Sequence, residues 1–238
     1  MKSGVSDGLE DQFIPLDRTF HELAFEGGVG DDVDLTRLMG GSDTLRWADL
    51  LREYRVVLLS EAGSGKTEEI RHVTRQLRRD GRQAFFVRIE HIAQSFEDAF
   101  EEGTFEEFSA WVVSGEEGWL LLDSVDEARL RDPKDFERAA RKLGGLLAAV
   151  LQSTHIVITG RTTAWRPKTD LLLCRAELPY QPNESATDER ASTAEKRSTL
   201  TSSGPSSPKP TAPFRIVALD DLHGPQIPRR RRCGIGRP

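Results

Sequence analysis

Lys66 and Thr67 close the run Arg55-Val-Val-Leu-Leu-Ser-Glu-Ala-Gly-Ser-Gly-Lys-Thr, in which an apolar stretch empties into a glycine-rich turn. A polyphosphate needs several N–H donors converging on its oxygens. Glycines at 63 and 65 let the backbone of Ala62, Gly63, Ser64 and Gly65 fold around it with no Cβ in the way. Lys66 then reaches the β and γ phosphates, and the Thr67 hydroxyl holds a bridging magnesium ion. A helix opening near Lys66 sets its partial positive charge behind the same anion. The pattern G-x-x-x-x-G-K-[ST] is met except at its first glycine, where Ser60 stands. That position begins the turn and carries no charge, so the departure bears on loop geometry. A Gly-Lys-Thr match alone also describes an ordinary surface turn; the apolar run before it and the helical pattern after it favour the phosphate-binding reading.

Two further apolar runs end in groups able to act on a triphosphate. Gly118-Trp-Leu-Leu-Leu-Asp123 reads as a buried parallel strand whose C-terminal end faces a ligand. Asp123 there supports the magnesium ion through water, while Asp126 and Glu127, just past the strand, polarise the water that attacks the γ phosphate. A lone Asp-x-x-Asp-Glu is as readily a solvated acidic loop, and it is the upstream glycine loop that weighs against this. His155-Ile-Val-Ile-Thr-Gly-Arg161 repeats the pattern. It sets Thr159 or Arg161 at the same sheet edge, where a guanidinium senses or stabilises the γ phosphate; the plainer alternative is a solvated arginine. His155 lies at the opposite end of its strand and reads as structural.

The elements that must carry these groups follow from periodicity. Leu45, Ala48 and Leu51 predict a short helix over 44–54, capped by Ser42 or Asp43. Ile70, Val73 and Leu77 predict an amphipathic helix closed by Gly81, and Ala84–Ile89 a second strand, so the helix is the crossover that parallel pairing requires. Phe96, Phe100, Phe105, Phe108 and Trp111 read as core. Pro133 sits near the first turn of a helix whose apolar side takes Phe136, Ala140, Leu143 and Leu147.

Composition bounds the rest. Of 238 residues 37% are hydrophobic, low enough to predict that part of the chain is unpacked. The net charge of -6 divides into -10 over residues 1–180 and +4 over 181–238, and an acidic globular part argues against a nucleic-acid-binding face. Two cysteines, Cys174 and Cys233, suggest neither a disulfide framework nor a metal site. No apolar segment is long enough to span a membrane, and the acidic start lacks a secretory signal, so a cytoplasmic location is expected.

Residues 1–43 read as an irregular acidic lead-in and 44–180 as the core. A linker over 181–213 follows; 17 of the 32 positions from 182 to 213 are Ser, Thr or Pro, which predicts a disordered insertion. Over 214–227, Phe214 to Leu219 offers a last strand, with Asp220, Asp221 and Leu222 turning into a helix. The basic tail at 228–238 holds four consecutive arginines without aromatic or amphipathic context, and reads as solvated.

Ser60–Glu68, Leu120–Ala128 and Ile156–Arg166 together resemble a NACHT-type NTPase of the STAND class, over about residues 44–180. The resemblance implies a P-loop NTPase α/β fold, a three-layer sandwich around a parallel sheet of about five strands. It places the Arg161 strand between the phosphate-loop strand and the Asp123 strand. It implies ATP or GTP with magnesium, and a switch in signalling or defence that acts by changing assembly state. The family continues with a helical lid and a winged helix. The sequence stops where these are expected, and its Arg, Pro, Gly and Cys tail has the composition of a shifted reading frame in GC-rich DNA. Two alternatives stand beside a slow nucleoside triphosphatase: a hydrolysis-deficient module that holds nucleotide or pairs with itself or a full-length relative, and, more distantly, a small-molecule P-loop kinase.

Overall fold

The structure, a computed structural model, describes residues 18–23, 44–181 and 214–219. The rest of the lead-in, including the expected caps Ser42 and Asp43, lies outside the described residues, as do the linker, Asp220 to Leu222 and the basic tail. The elements in chain order are β1 (Phe20–Glu22), α1 (Trp47–Leu50), β2 (Arg55–Ser60), α2 (Lys66–Arg79), β3 (Gln83–Arg88), α3 (Ile89–Ile92), β4 (Phe100–Glu102), α4 (Phe105–Ser114), β5 (Gly118–Asp123), α5 (Val125–Arg131), α6 (Asp135–Leu147), β6 (Thr154–Arg161), α7 (Pro167–Glu177) and β7 (Arg215–Leu219).

The strands form one seven-stranded sheet in the order β1-β7-β2-β6-β5-β3-β4. The inner five are parallel, and β6 lies between β2 and β5 as the resemblance implies. Alternate residues go to opposite faces, the period of a pleated strand. Val57, Leu59, Leu120, Leu122, Ile156 and Ile158 join a core with α3 to α7. Val56, Leu58, Trp119, Leu121 and Val157 join a second core with Ile70, Val73 and Leu77 of α2. Both faces are covered, which is why the inner strands read as continuous apolar runs. Phe100, Phe108 and Trp111 pack around Phe85 at the first core, and Phe96 packs on Phe100, Phe105 and Phe108.

Three expectations need correction. The sheet has seven strands, because antiparallel strands close both edges: β1 on β7 and β4 on β3. Part of the lead-in is therefore a strand; Phe20 and Leu45 exchange backbone hydrogen bonds at 2.9 and 2.8 Å, and Phe20 packs edge-on against Trp47. A three-residue strand gives no periodic signal, and its partner Leu219 lies at the far end of the chain. The first helix shrinks to Trp47–Leu50, since Leu45 is drawn into the bridge to Phe20. Asp126 and Glu127 stand just past β5, in the first turn of α5. Their acidic side chains precede Arg129 and Arg131 in its last turn, a charge order that favours the helix dipole.

At the end of the sheet remote from the glycine loop, His155 stacks between Tyr54 and Trp119 and lies 3.0 Å from Glu117, a structural setting. Among the described residues no helix is long and apolar enough to cross a membrane.

Candidate functional site

The six residues of β2 are all buried, and the chain leaves the sheet at Ser60. Gly63 and Gly65 have φ of 75° and 81°, the left-handed region that costs an L-residue about 1 kcal/mol or more. Gly65 is also the N-cap of α2, and no side chain caps the helix there. Its first-turn N–H groups are thus left to an anion or to water. The Ser60 hydroxyl is 3.0 Å from the Ser64 hydroxyl, so the residue that departs from the glycine pattern ties the base of the loop to its crown.

Register delivers the other groups. Ser60 pairs with Arg161 and Arg88 with Asp123, so the C-terminal ends of β2, β6, β5 and β3 form one sheet edge. Asp123 is buried and uses both carboxylate oxygens: Oδ2 accepts from the Thr67 hydroxyl at 2.6 Å and Oδ1 from the Thr159 hydroxyl at 2.5 Å. Asp126, also buried, faces Arg161, with Oδ2 2.7 Å from Nε. Glu127 Oε2 lies 3.0 Å from Arg88 Nη1, and the same guanidinium reaches Glu101 at 3.3 Å.

One cavity of about 290 Å³ is bordered by Ala62, Gly63, Ser64, Gly65, Lys66 and Thr67 on one wall and by Asp123, Asp126, Glu127 and Arg161 on the other, while Thr159 stays behind Asp123 and does not reach it. A second cavity, lined in part by Arg129 and Arg166, shares Asp126 and Arg161 with it, so this ion pair forms the partition.

Sequence reasoning passed over Arg88 and Arg18. Arg88 ends an apolar strand in a charged residue, the same signal that marked Asp123 and Arg161. Arg18 carries no such signal; its guanidinium donates to the Ser64 carbonyl and pairs with Glu69, contacts made by tertiary pairing alone.

The donor set suits magnesium. The Thr67 hydroxyl and a carboxylate oxygen of Asp123 are hard oxygen donors side by side at the cavity wall, and would hold the ion together with phosphate oxygens and water.

A strand, a glycine loop ending in Lys-Thr and a helix, set in a parallel sheet with β6 between β2 and β5, define a P-loop NTPase-like α/β fold. Neither a protein-family model nor a curated protein matches the chain. Among solved structures it is similar to AMPPCP-bound DnaA from Aquifex aeolicus, at 18% identity and a TM-score of 0.35. That match covers 63% of this chain and 48% of the other, so the chain spans about half the length of that protein.

Proposed function

We propose that this protein binds ATP or GTP with magnesium and hydrolyses it slowly, as the nucleotide-switch core of a cytoplasmic signalling or defence protein of the NACHT type. The observation that carries the reading is the Thr67–Asp123 hydrogen bond, which joins the end of the glycine loop to the end of β5 within one cavity. The backbone of Ala62 to Gly65 and the Lys66 ammonium bind the phosphates, and Thr67 and Asp123 hold the ion. Magnesium, when bound, neutralises charge on the β and γ phosphates. Glu127, whose side chain is 41% exposed, is the base that orients the attacking water, and Arg161 answers the charge on the γ phosphate. Asp126, with both oxygens on Arg161, positions that guanidinium. The proposed core joins residues 44–180 with β1 and β7.

Melting in the presence of ATP, ADP and GTP, each with and without magnesium, tests binding, because a ligand specific to the folded state raises its apparent stability. A magnesium-dependent rise is expected for a triphosphate and should vanish in Lys66→Ala; no rise at about millimolar nucleotide removes the proposal. Single-turnover hydrolysis with Lys66→Ala and Asp126→Asn controls tests the chemistry.

One observation favours a second reading, a module that binds without hydrolysing: Arg161 and Glu127 are both held in ion pairs, with Asp126 and Arg88. A thermal shift with triphosphate but no hydrolysis above the control variants selects it.

A further inference from the structure

We infer that Arg18, from the lead-in segment, is a positioning residue that sets the phosphate loop in its binding conformation; the inference rests on the nucleotide-binding reading above. Arg18 does not line the cavity, and meets the loop from outside it. Its Nη2 donates to the Ser64 carbonyl and stands 3.1 Å from where a Cβ on Gly65 would be, so any larger residue there would crowd the guanidinium. A trans peptide points its carbonyl and its N–H in opposite directions. Holding the Ser64 carbonyl toward Arg18 therefore turns the Gly65 N–H away from it, to where a phosphate oxygen is to be received.

The second contact concerns charge. Glu69 is buried in the first turn of α2, close to the helix end that would face the anion. An uncompensated carboxylate there repels a polyphosphate. Arg18 Nε lies 2.5 Å from Glu69 Oε1, and the two side chains are only 9% and 6% exposed, so the pair is scarcely screened by solvent. Glu69 Oε2 in turn accepts from Trp47 Nε1 at 3.1 Å, and Trp47 packs against Phe20, two residues after Arg18. β1, which follows Arg18, is held by β7 on one side and by the bridge to Leu45 on the other. The loop conformation thereby depends on an edge strand contributed from far along the chain.

The test uses the full chain and two probes, Mg-ATP and magnesium tripolyphosphate, with affinities read by calorimetry. Arg18→Met alone leaves Glu69 buried and unpaired, so the informative variant is Arg18→Met with Glu69→Gln, which removes both charges and keeps an acceptor for Trp47. Its melting temperature should stay close to that of the wild type, yet both probes should bind about tenfold more weakly, the scale of a lost charge-assisted hydrogen bond. Equal affinity in the double variant overturns the positioning role and leaves the nucleotide-binding reading intact. Loss with ATP but not with tripolyphosphate also overturns it, since Arg18 would then be acting on base or sugar. Absence of binding by the wild type removes both readings together. Should the double variant fail to fold, Arg18→Lys decides: it keeps a cation beside Glu69, but one ammonium cannot serve both partners as a guanidinium fork does. Weaker binding of both probes than in the wild type supports the role, and unchanged binding overturns it.

Discussion

Asp126 holds Arg161 twice: Oδ2 stands 2.7 Å from Arg161 Nε, and Oδ1 accepts the Arg161 backbone N–H at 3.1 Å. The last residue of β6 is thus fixed to the first turn of α5 through main chain and side chain together. Arg161→Ala should lower single-turnover hydrolysis by about a hundredfold, the loss typical of one electrostatic stabiliser, while the Mg-ATP dissociation constant changes far less. The Arg161 side chain is 41% exposed, so the stability cost is discounted for solvent to about 1 kcal/mol. An unchanged hydrolysis rate in an otherwise active protein rejects the role given to Arg161.

Glu127 and Asp126 are neighbours with different surroundings, and this separates the roles proposed for them. Glu127 is partly open to solvent beside the cavity, whereas Asp126 is buried with both oxygens engaged. Glu127→Gln should therefore cut hydrolysis by about a hundredfold or more, as removal of a general base does, and leave nucleotide affinity near wild type. If Asp126→Asn abolishes turnover while Glu127→Gln preserves it, the two assignments must be exchanged.

The contrast between β5 and β1 shows what the chain discloses about itself. β2, β5 and β6 are buried on both faces, so each appears as an unbroken apolar run ending in a polar group, and the site residues follow from those ends. β1 spans three residues and exists because β7 and Leu45 pair with it, a relationship no local window contains. Arg18 was invisible for the same reason. α5 is legible in principle, since acidic residues open it and basic ones close it, yet its seven residues are too few to show a helical apolar period.

Glu90 gives a pH-dependent expectation. Burial, first among the causes, raises its pKa above the usual 4.5, with the Glu127 charge adding to the shift; its own backbone N–H, Arg88 and His91 oppose it. A carboxyl whose pKa is raised by folding favours the folded state most when protonated. That contribution is fully present below the ordinary value and is lost as pH rises through the raised one. Near neutral pH the charged form is thus a burden on the fold, and Glu90→Gln should melt at a higher temperature than wild type. The difference should shrink as the solution is acidified toward pH 4.5. A lower melting temperature for the variant at neutral pH means instead that the Glu90 charge is needed by Arg88, 3.6 Å away.

Arg55 begins β2, at the end of the strand opposite the glycine loop, and its guanidinium is enclosed by main chain. It donates to the carbonyls of Tyr54 (2.7 Å), Thr154 (2.5 Å), Leu151 (2.7 Å), Leu178 (2.9 Å) and Pro179 (3.0 Å). Burial lowers its pKa to about 10, which still leaves it protonated at neutral pH. Arg55→Met keeps much of the packing volume but strands several buried carbonyls, each at about 1–3 kcal/mol. Denaturant unfolding should show a loss of about 3–5 kcal/mol in all. Arg55→Lys should recover only part of this, because three ammonium protons cannot replace a planar fork with five donors. The damage belongs to the way α7 and β6 are tied to β2, so whatever fraction of Arg55→Met folds should bind Mg-ATP with wild-type affinity. A weakened affinity in the folded fraction contradicts that separation, and requires that the base of β2 and the loop at its far end be coupled through the strand.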